Sequence, residues 1–389
     1  MVLLKENSKL YDEIIEKGKR IGKLAEEEAW QAEMNATISP HVVESIRSEQ
    51  MHRLLLPKEY GYPQIDWQTY VDLISTVGYY NLSAAWITCF FSLHNAWVSY
   101  LPKPFRDEIV KQGGFVADVF APIGKVEKCE GGYLVSGTYH FVSGIKYADW
   151  VGVGAMMTFD DSNKPERVGI CLKVSDLKIE ENWDSLGLRG SGSHTLIVDN
   201  VFVKREAILR FNKIIECSQP PEENFDEDYL YYNTPFYPGF YIGFAAMAIG
   251  GARRVIDEFT KHTAGRVRFS GIKEKDSPSS QRVLAELSME MEAAEALMHQ
   301  YIRLMESDKG GPYEGARYKA IRASIIDKCV HIGVRSLLTL GGHALLKGHP
   351  VELFTRDLIA IGTHITSLYE DAVTGYGRHL FGIETNIQG

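Results

Sequence analysis

The spacing of apolar residues changes period twice along this chain, and that double change limits the possible folds more than any single motif. Over residues 1–113, Leu10, Ile14, Ile21, Leu24 and Ala25 recur at helical spacing. Ser39-Pro40 reads as an N-cap with proline at the first helical position, and Asp66 and Ser83 read as two further caps. The stretch opened by Ser83, SAAWITCFFSLHNAWVSY, is apolar nearly all round, which marks a buried helix interrupted by His94 and Asn95. From residue 114 to 212 apolar and polar residues alternate between glycines, as in GGYLVSGTYHFVSGIKYADWVGVGAMM, RVGICLKV and HTLIVDNVFV. That texture predicts short strands in an antiparallel sheet or barrel. No helix alternates with these strands, so a Rossmann unit is excluded. The helical period returns over 213–389. One helix starts behind Asp276-Ser277-Pro278 and carries Leu284, Leu287, Met291, Ala294, Met298, Tyr301 and Met305 on one face. Another spans about 313–340 and stops at Gly341-Gly342, and a last one begins near Pro350. The fold class is therefore α+β, with an N-terminal helical domain, a central β-domain and a C-terminal helical domain.

Composition removes several function classes. Of 389 residues, 45% are apolar and 24% charged, enough for a substantial soluble core. The net charge is −9 and the basic residues are scattered, which argues against a nucleic-acid groove or an anionic membrane as partner. The N-terminus turns charged within five residues, unlike a signal peptide. The longest apolar run, FYIGFAAMAIGGA, is about half to two-thirds of a bilayer span. Five cysteines without a CxxC pair fit reduced thiols in a cytoplasm. Twelve histidines without HExxH or HxH spacing predict no metal site. The stretch CSQPPEENFDEDYLYYNTPFYP reads as a surface loop that wraps a neighbour, or else as a pocket wall for a flat substrate.

Three segments carry a more specific signal: SLGLRGSGSHTLIVDNVFV (185–203), AGRVRFSG (264–271) and LLTLGGHALLKGHPVELFTRDL (337–358). Alone, the first is a weak phosphate-loop match, because it leads into a strand and not a helix. In this order, after a helix-then-sheet opening, the three resemble the acyl-CoA dehydrogenase superfamily over nearly the whole chain. The resemblance implies an N-terminal helical domain, a central antiparallel β-barrel and a C-terminal four-helix bundle. It also implies a homotetramer, with flavin held between the β-domain, the bundle and a neighbouring subunit.

A dehydrogenase of this superfamily needs a carboxylate to take the substrate's α-proton. The two positions at which the superfamily carries it fall here on Ile365 and Phe240. Glu370 and Asp371 lie roughly 7–9 Å beyond the first, at about 1.5 Å of helix per residue. His364 stands beside the vacant position instead. With His94 and Ser143, it makes the chain resemble the flavin-dependent monooxygenases of the same fold: two-component aromatic hydroxylases, dibenzothiophene monooxygenases and amino-sugar N-oxygenases.

That resemblance implies an oxygenase component that takes reduced FMN or FAD from a separate reductase and uses O2, through a C4a-hydroperoxyflavin, to hydroxylate a small aromatic or heterocyclic substrate. His364 would be the base, His94 would orient the substrate or the distal oxygen, and Ser143 would hydrogen-bond near flavin N5. Flavin contacts would come from Ser143, Arg189, Ser191, Arg266, Arg268 and Phe269, and from the backbone at Gly341 and Gly342 of a second subunit. Substrate contacts would come from His94, Asn95, Trp97, Phe240 and Asp371. The alternatives are a dehydrogenase using Glu370 or Asp371, an N-hydroxylase of an amine or amino sugar, and a non-catalytic ligand-binding member of the fold. A histidine in an apolar helix is, by default, a satisfied core residue.

Overall fold

A computed structural model describes residues 3–162, 164–212, 214, 228–268, 270–307 and 312–383. Six helices come first: α1 (Leu3–Glu27), α2 (Ala29–Asn35), α3 (Pro40–Ser48), α4 (Trp67–Tyr80), α5 (Leu82–Val98) and α6 (Lys103–Gln112). Short polar residues set the starts of α3, α4 and α5. Ser39 accepts from the Val42 N–H with Pro40 in the first turn, and Asp66 accepts from the Thr69 N–H at 2.7 Å. Asn81, not Ser83, caps α5: its side-chain oxygen accepts from the Ala84 N–H at 2.8 Å, while its amide donates to Ala25 O. One residue thus starts α5 and ties it to α1.

Seven strands follow: β1 (Val116–Cys129), β2 (Gly132–Val142), β3 (Trp150–Met157), β4 (Glu166–Lys173), β5 (Lys178–Glu180), β6 (His194–Val203) and β7 (Ile208–Arg210). Among the described residues they form one sheet in the order β5-β6-β2-β1-β3-β4-β7. The expected antiparallel barrel needs correction, because β1 and β3 pair in parallel. The first part of β1, Val116–Val119, pairs with β3; its last part, Lys125–Cys129, pairs with β2. The register shifts between Val119 and Gly124, so one bent strand serves both halves of the sheet. Alternation along a strand reports which face is buried and is blind to the direction of its partner.

The C-terminal helices are α7 (Phe236–Gly265), α8 (Pro278–Ser307), α9 (Pro312–Leu340), α10 (Pro350–Gly362) and α11 (Tyr369–Leu380). The single last helix expected from Pro350 is broken. Helix α10 ends at Gly362, His364 caps a 3-10 turn over Ile365–Ser367, and α11 starts at Tyr369. Helix α7 crosses α4 at backbone contact: a Cβ on Gly250 would lie 2.1 Å from Ser75 O. Small residues in GFAAMAIGGA therefore serve a close crossing. Among the described residues no helix is long and apolar enough to cross a membrane. The acidic half of the aromatic segment, 217–227, lies outside the described residues. The tyrosines after it turn inward: Tyr231 and Tyr232 are buried against Trp67 and Tyr100, with ring centroids 5.8 and 5.0 Å away. A surface loop does not describe these two residues.

Two of the sequence motifs meet. The Leu188 N–H donates to Asp357 Oδ1 at 2.6 Å, and Arg356 Nη1 donates to Leu186 O at 2.6 Å. A Cβ on Gly187 would lie 2.2 Å from Arg356 O. SLGLRG and TRD are thus the two sides of the joint that docks the sheet onto α10.

Candidate active site

Helix α5 presents Trp86, Phe90 and His94 on one stripe, four residues apart. Phe240 and Phe244 of α7 face them. Phe90 lies 4.7 Å from Trp86, 4.9 Å from His94 and 5.6 Å from Phe244, and His94 stacks with Phe240 at 5.9 Å. The α10–α11 break delivers His364 to one end of this aromatic seam, 4.7 Å from Phe244 and 5.8 Å from Trp86. His94 stands at the other end. Two surface clefts, of about 240 Å³ beside Leu10 and Tyr62 and about 370 Å³ beside Trp150 and Lys173, include neither histidine.

Desolvation, and then the charge of Arg322, hold the His364 imidazole down at about 4, so it is neutral at pH 7. Its Nδ1 has two partners in Thr366, the hydroxyl at 2.9 Å and the backbone N–H at 3.3 Å. If Nδ1 donates to the hydroxyl, Nε2 is bare and can take a proton. If Nδ1 accepts the backbone N–H, Nε2 carries the proton and can only donate.

Ser143 follows β2 and is buried. It accepts from Trp86 Nε1 at 2.9 Å and lies 2.8 Å from Ser193 Oγ, which lies 2.7 Å from Ser191 Oγ. This relay can run either way. When Ser193 donates to Ser143, the Ser143 O–H is left for a ligand.

His94 is committed at both nitrogens. Nδ1 lies 2.9 Å from Val116 O, an acceptor only, so Nδ1 carries the proton. Nε2 lies 3.1 Å from Asp118 Oδ2, which also accepts from Trp97 Nε1 at 3.1 Å. Burial pushes the Asp118 carboxyl well above its usual range and the imidazole down to about 3, so the pair is held net neutral around one shared proton. Orientation of substrate by His94 directly is therefore corrected: its polar atoms face protein. Sequence reading missed Asp118, whose signal was an acid in the apolar start of a strand, VADVF.

The remaining expected residues divide by place. Phe240 and Ser191 lie in the cluster just described. Asn95 leaves it: its amide donates to His52 O at 2.9 Å, on another face of α5. Arg189 is held by Glu33 O and Asp184, at 3.1 and 2.6 Å. Glu370 and Asp371 are exposed on the first turn of α11. Arg266 caps the far end of α7 and reaches Leu340 O, beside Gly341 and Gly342. Arg268 is forked by Glu274, and Phe269 lies outside the described residues. Around Arg266, His262, His343 and His349 each bring a ligand atom within 4.8 Å of the others, a grouping that local spacing did not reveal. His349 Nδ1 accepts from the Val351 N–H at the head of α10, and burial, then His343 and Arg266, depress His262. Those neighbours favour an anion there over a cation.

Residues 242–367 match the family model described as acyl-CoA dehydrogenase, C-terminal domain. The oxygenase component of p-hydroxyphenylacetate 3-hydroxylase from Acinetobacter baumannii is 26% identical over 342 residues, 86% of this chain and 81% of that protein. The oxygenase subunit HsaA of a flavin-dependent monooxygenase from Rhodococcus jostii is 26% identical over 373 residues, 92% of this chain and 95% of that protein. XiaF from Streptomyces, solved with FADH2 and glycerol, superposes with a TM-score of 0.91 at 19% identity and covers 100% of both chains. The C-terminal third of the chain matches the acyl-CoA dehydrogenase C-terminal domain, and the whole chain shares the fold. Over most of its length the chain is similar to flavin-dependent oxygenase components.

The residues present fit a flavin ring. A planar ring needs a flat apolar surface and donors at its polar edge. Phe141, two residues before Ser143, is 71% exposed with φ +64, and Trp183 stands edge-on to it at 6.1 Å. A bulky residue held in that backbone region costs on the order of 1 kcal/mol or more, an outlier of the kind found at ligand sites. The serine relay supplies the donor.

Proposed function

We propose that this chain is the oxygenase component of a two-component, flavin-dependent monooxygenase acting on a small aromatic or heterocyclic substrate. One observation carries the reading: a half-buried imidazole, held neutral by desolvation, ends the aromatic seam, while the acids that a dehydrogenase would use, Glu370 and Asp371, are exposed. When bound, reduced flavin supplies the activation of O2 and the transfer of one oxygen atom. His364, with Nδ1–H on Thr366 Oγ1, takes the proton of a substrate OH or NH at Nε2 and so enriches the ring in electrons. Ser143 donates its O–H to the flavin's edge. Trp86, Phe90 and Phe244 keep water from the reacting atoms. Arg266 lies twenty-two residues beyond Phe244, about 33 Å along α7, too far to serve the same flavin. It and Gly341-Gly342 would hold the phosphate of a neighbouring copy's flavin, in the homotetramer that the resemblance implies.

The test is to give purified chain chemically reduced FMN or FAD, air and a panel of phenols, indoles and sulfur heterocycles. Oxygenated product is expected from wild type, with loss of about a hundredfold or more in His364→Ala, within the range of general-base effects. Ser143→Ala should divert turnover to hydrogen peroxide. Unchanged product yield in His364→Ala would remove the base assignment.

A further inference from the structure

Beside the aromatic seam lies a group of cations, of which the reading above uses only the charge of Arg322 on His364. Arg322 of α9 is 1% exposed; its Nη2 donates to Thr366 O, its guanidinium faces the Tyr241 ring at 4.9 Å, and its Nε has no partner. Lys319, one turn earlier on the same face, is half-buried and has no hydrogen bond or ion pair among the described residues. Tyr241 stacks on Tyr237 at 5.9 Å and 2°, and the Tyr237 hydroxyl receives Arg167 Nη1 at 3.4 Å. No carboxylate pairs with these three cations among the described residues. Like charges gathered in a low-dielectric interior repel and lose hydration, an arrangement kept where an anion completes it. Burial first, and then Arg322 and Arg167, push the Lys319 ammonium below its ordinary value.

We propose that the substrate bears an anionic group of the carboxylate class, seated on Lys319 and Arg322 beside the Tyr237–Tyr241 stack. The inference deepens the oxygenase reading and rests on it for the word substrate. An anion on Arg322 sits beside Thr366, two residues from His364. From Tyr241 the seam continues to Phe244 at 6.0 Å and on to His364 at 4.7 Å. An aryl ring attached to the anchored carboxylate would lie along that path, its ring hydroxyl or N–H toward the imidazole. Desolvation first, and then the Arg322 charge, keep His364 neutral before the anion binds, and therefore able to accept a proton.

Calorimetric titration of the flavin-free full chain with 4-hydroxyphenylacetate and 4-hydroxybenzoate, each against its primary amide, tests this. The acids are expected to bind at least about tenfold more tightly than the amides, the size of one charge-assisted hydrogen bond. Arg322→Gln and Lys319→Met should each erase the preference. Because Arg322 also holds the α10–α11 break, Lys319→Met is the cleaner variant, and it should also raise the unfolding temperature of the ligand-free chain. Amides that bind as well as acids, a preference that survives Lys319→Met, or no acid that binds or stabilises the wild type would each overturn the proposal. Acid-selective binding without oxygenated product from reduced flavin would keep the anion site and remove the oxygenase reading. Product from neutral arenes alone would do the reverse.

Discussion

Thr366 decides what His364 can do. Its hydroxyl and its backbone N–H compete for one nitrogen, at 2.9 and 3.3 Å. The shorter contact favours Nδ1–H donating to the hydroxyl, which leaves Nε2 as the base. Valine in place of Thr366 keeps the shape and leaves only the backbone N–H, which fixes the proton on Nε2. Thr366→Val should therefore cut product formation about tenfold or more while flavin binding persists, and Thr366→Ser should restore it. A pH–rate profile separates this from a packing effect. A substrate that is already ionised in solution needs no base, so raising pH through the substrate's own ionisation should rescue Thr366→Val. If the profile moves in neither variant, the hydroxyl does not select the tautomer.

At the scale of elements, helices with all-round apolar faces or a cap before proline were legible from sequence. So was the switch of period between α6 and β1. Three things were not. The α10–α11 break follows from His364 capping its own turn, and a six-residue interruption leaves little trace in an amphipathic pattern. The parallel β1–β3 pairing depends on which strand lies alongside, which alternation does not encode. The His94–Asp118 pair joins a helix to a strand through two residues that each look like an ordinary interruption. The motif SLGLRG, by contrast, was legible without its reason, which is the sheet-to-α10 joint. A methyl on Gly187 would strike the Arg356 carbonyl at 2.2 Å, and backbone cannot swing aside as a side chain can. Gly187→Ala should lower stability by about 2–4 kcal/mol and reduce activity with it, read by urea unfolding. Gly131, with nothing within 4 Å but φ +77, is the control that separates a clash from backbone strain.

At the scale of the whole molecule, buried titratable groups set a definite acid response. His52 and His364 are neutral in the native state, held at about 3 and about 4 mainly by desolvation. Unfolded, each takes up a proton as pH falls through 6.5. The unfolded chain then binds more protons, and stability drops on acidification. Asp357 acts oppositely. Burial raises it to about 7 from 3.8, so between those values the native state holds a proton that the unfolded state lacks. The His94–Asp118 pair holds one shared proton when folded. It also binds one when unfolded between pH 3.8 and 6.5, on His94, so it contributes no slope there. Two imidazoles less one carboxyl leave about one proton, or about 1.4 kcal/mol per pH unit. His194, His262 and His349, also depressed by burial, add to the same sign. Stability should thus peak near pH 6.5 and fall toward pH 4.5, measured as urea midpoints at fixed ionic strength. Asp357→Asn can still accept the Leu188 N–H yet has no proton to hold back, so it should steepen the acid limb by about one proton. His364→Asn should flatten the limb by the same amount. A limb that Asp357→Asn flattens instead would mean that the native carboxyl is ionised beside Arg356, and that the joint between sheet and α10 is a salt bridge and not a neutral hydrogen bond.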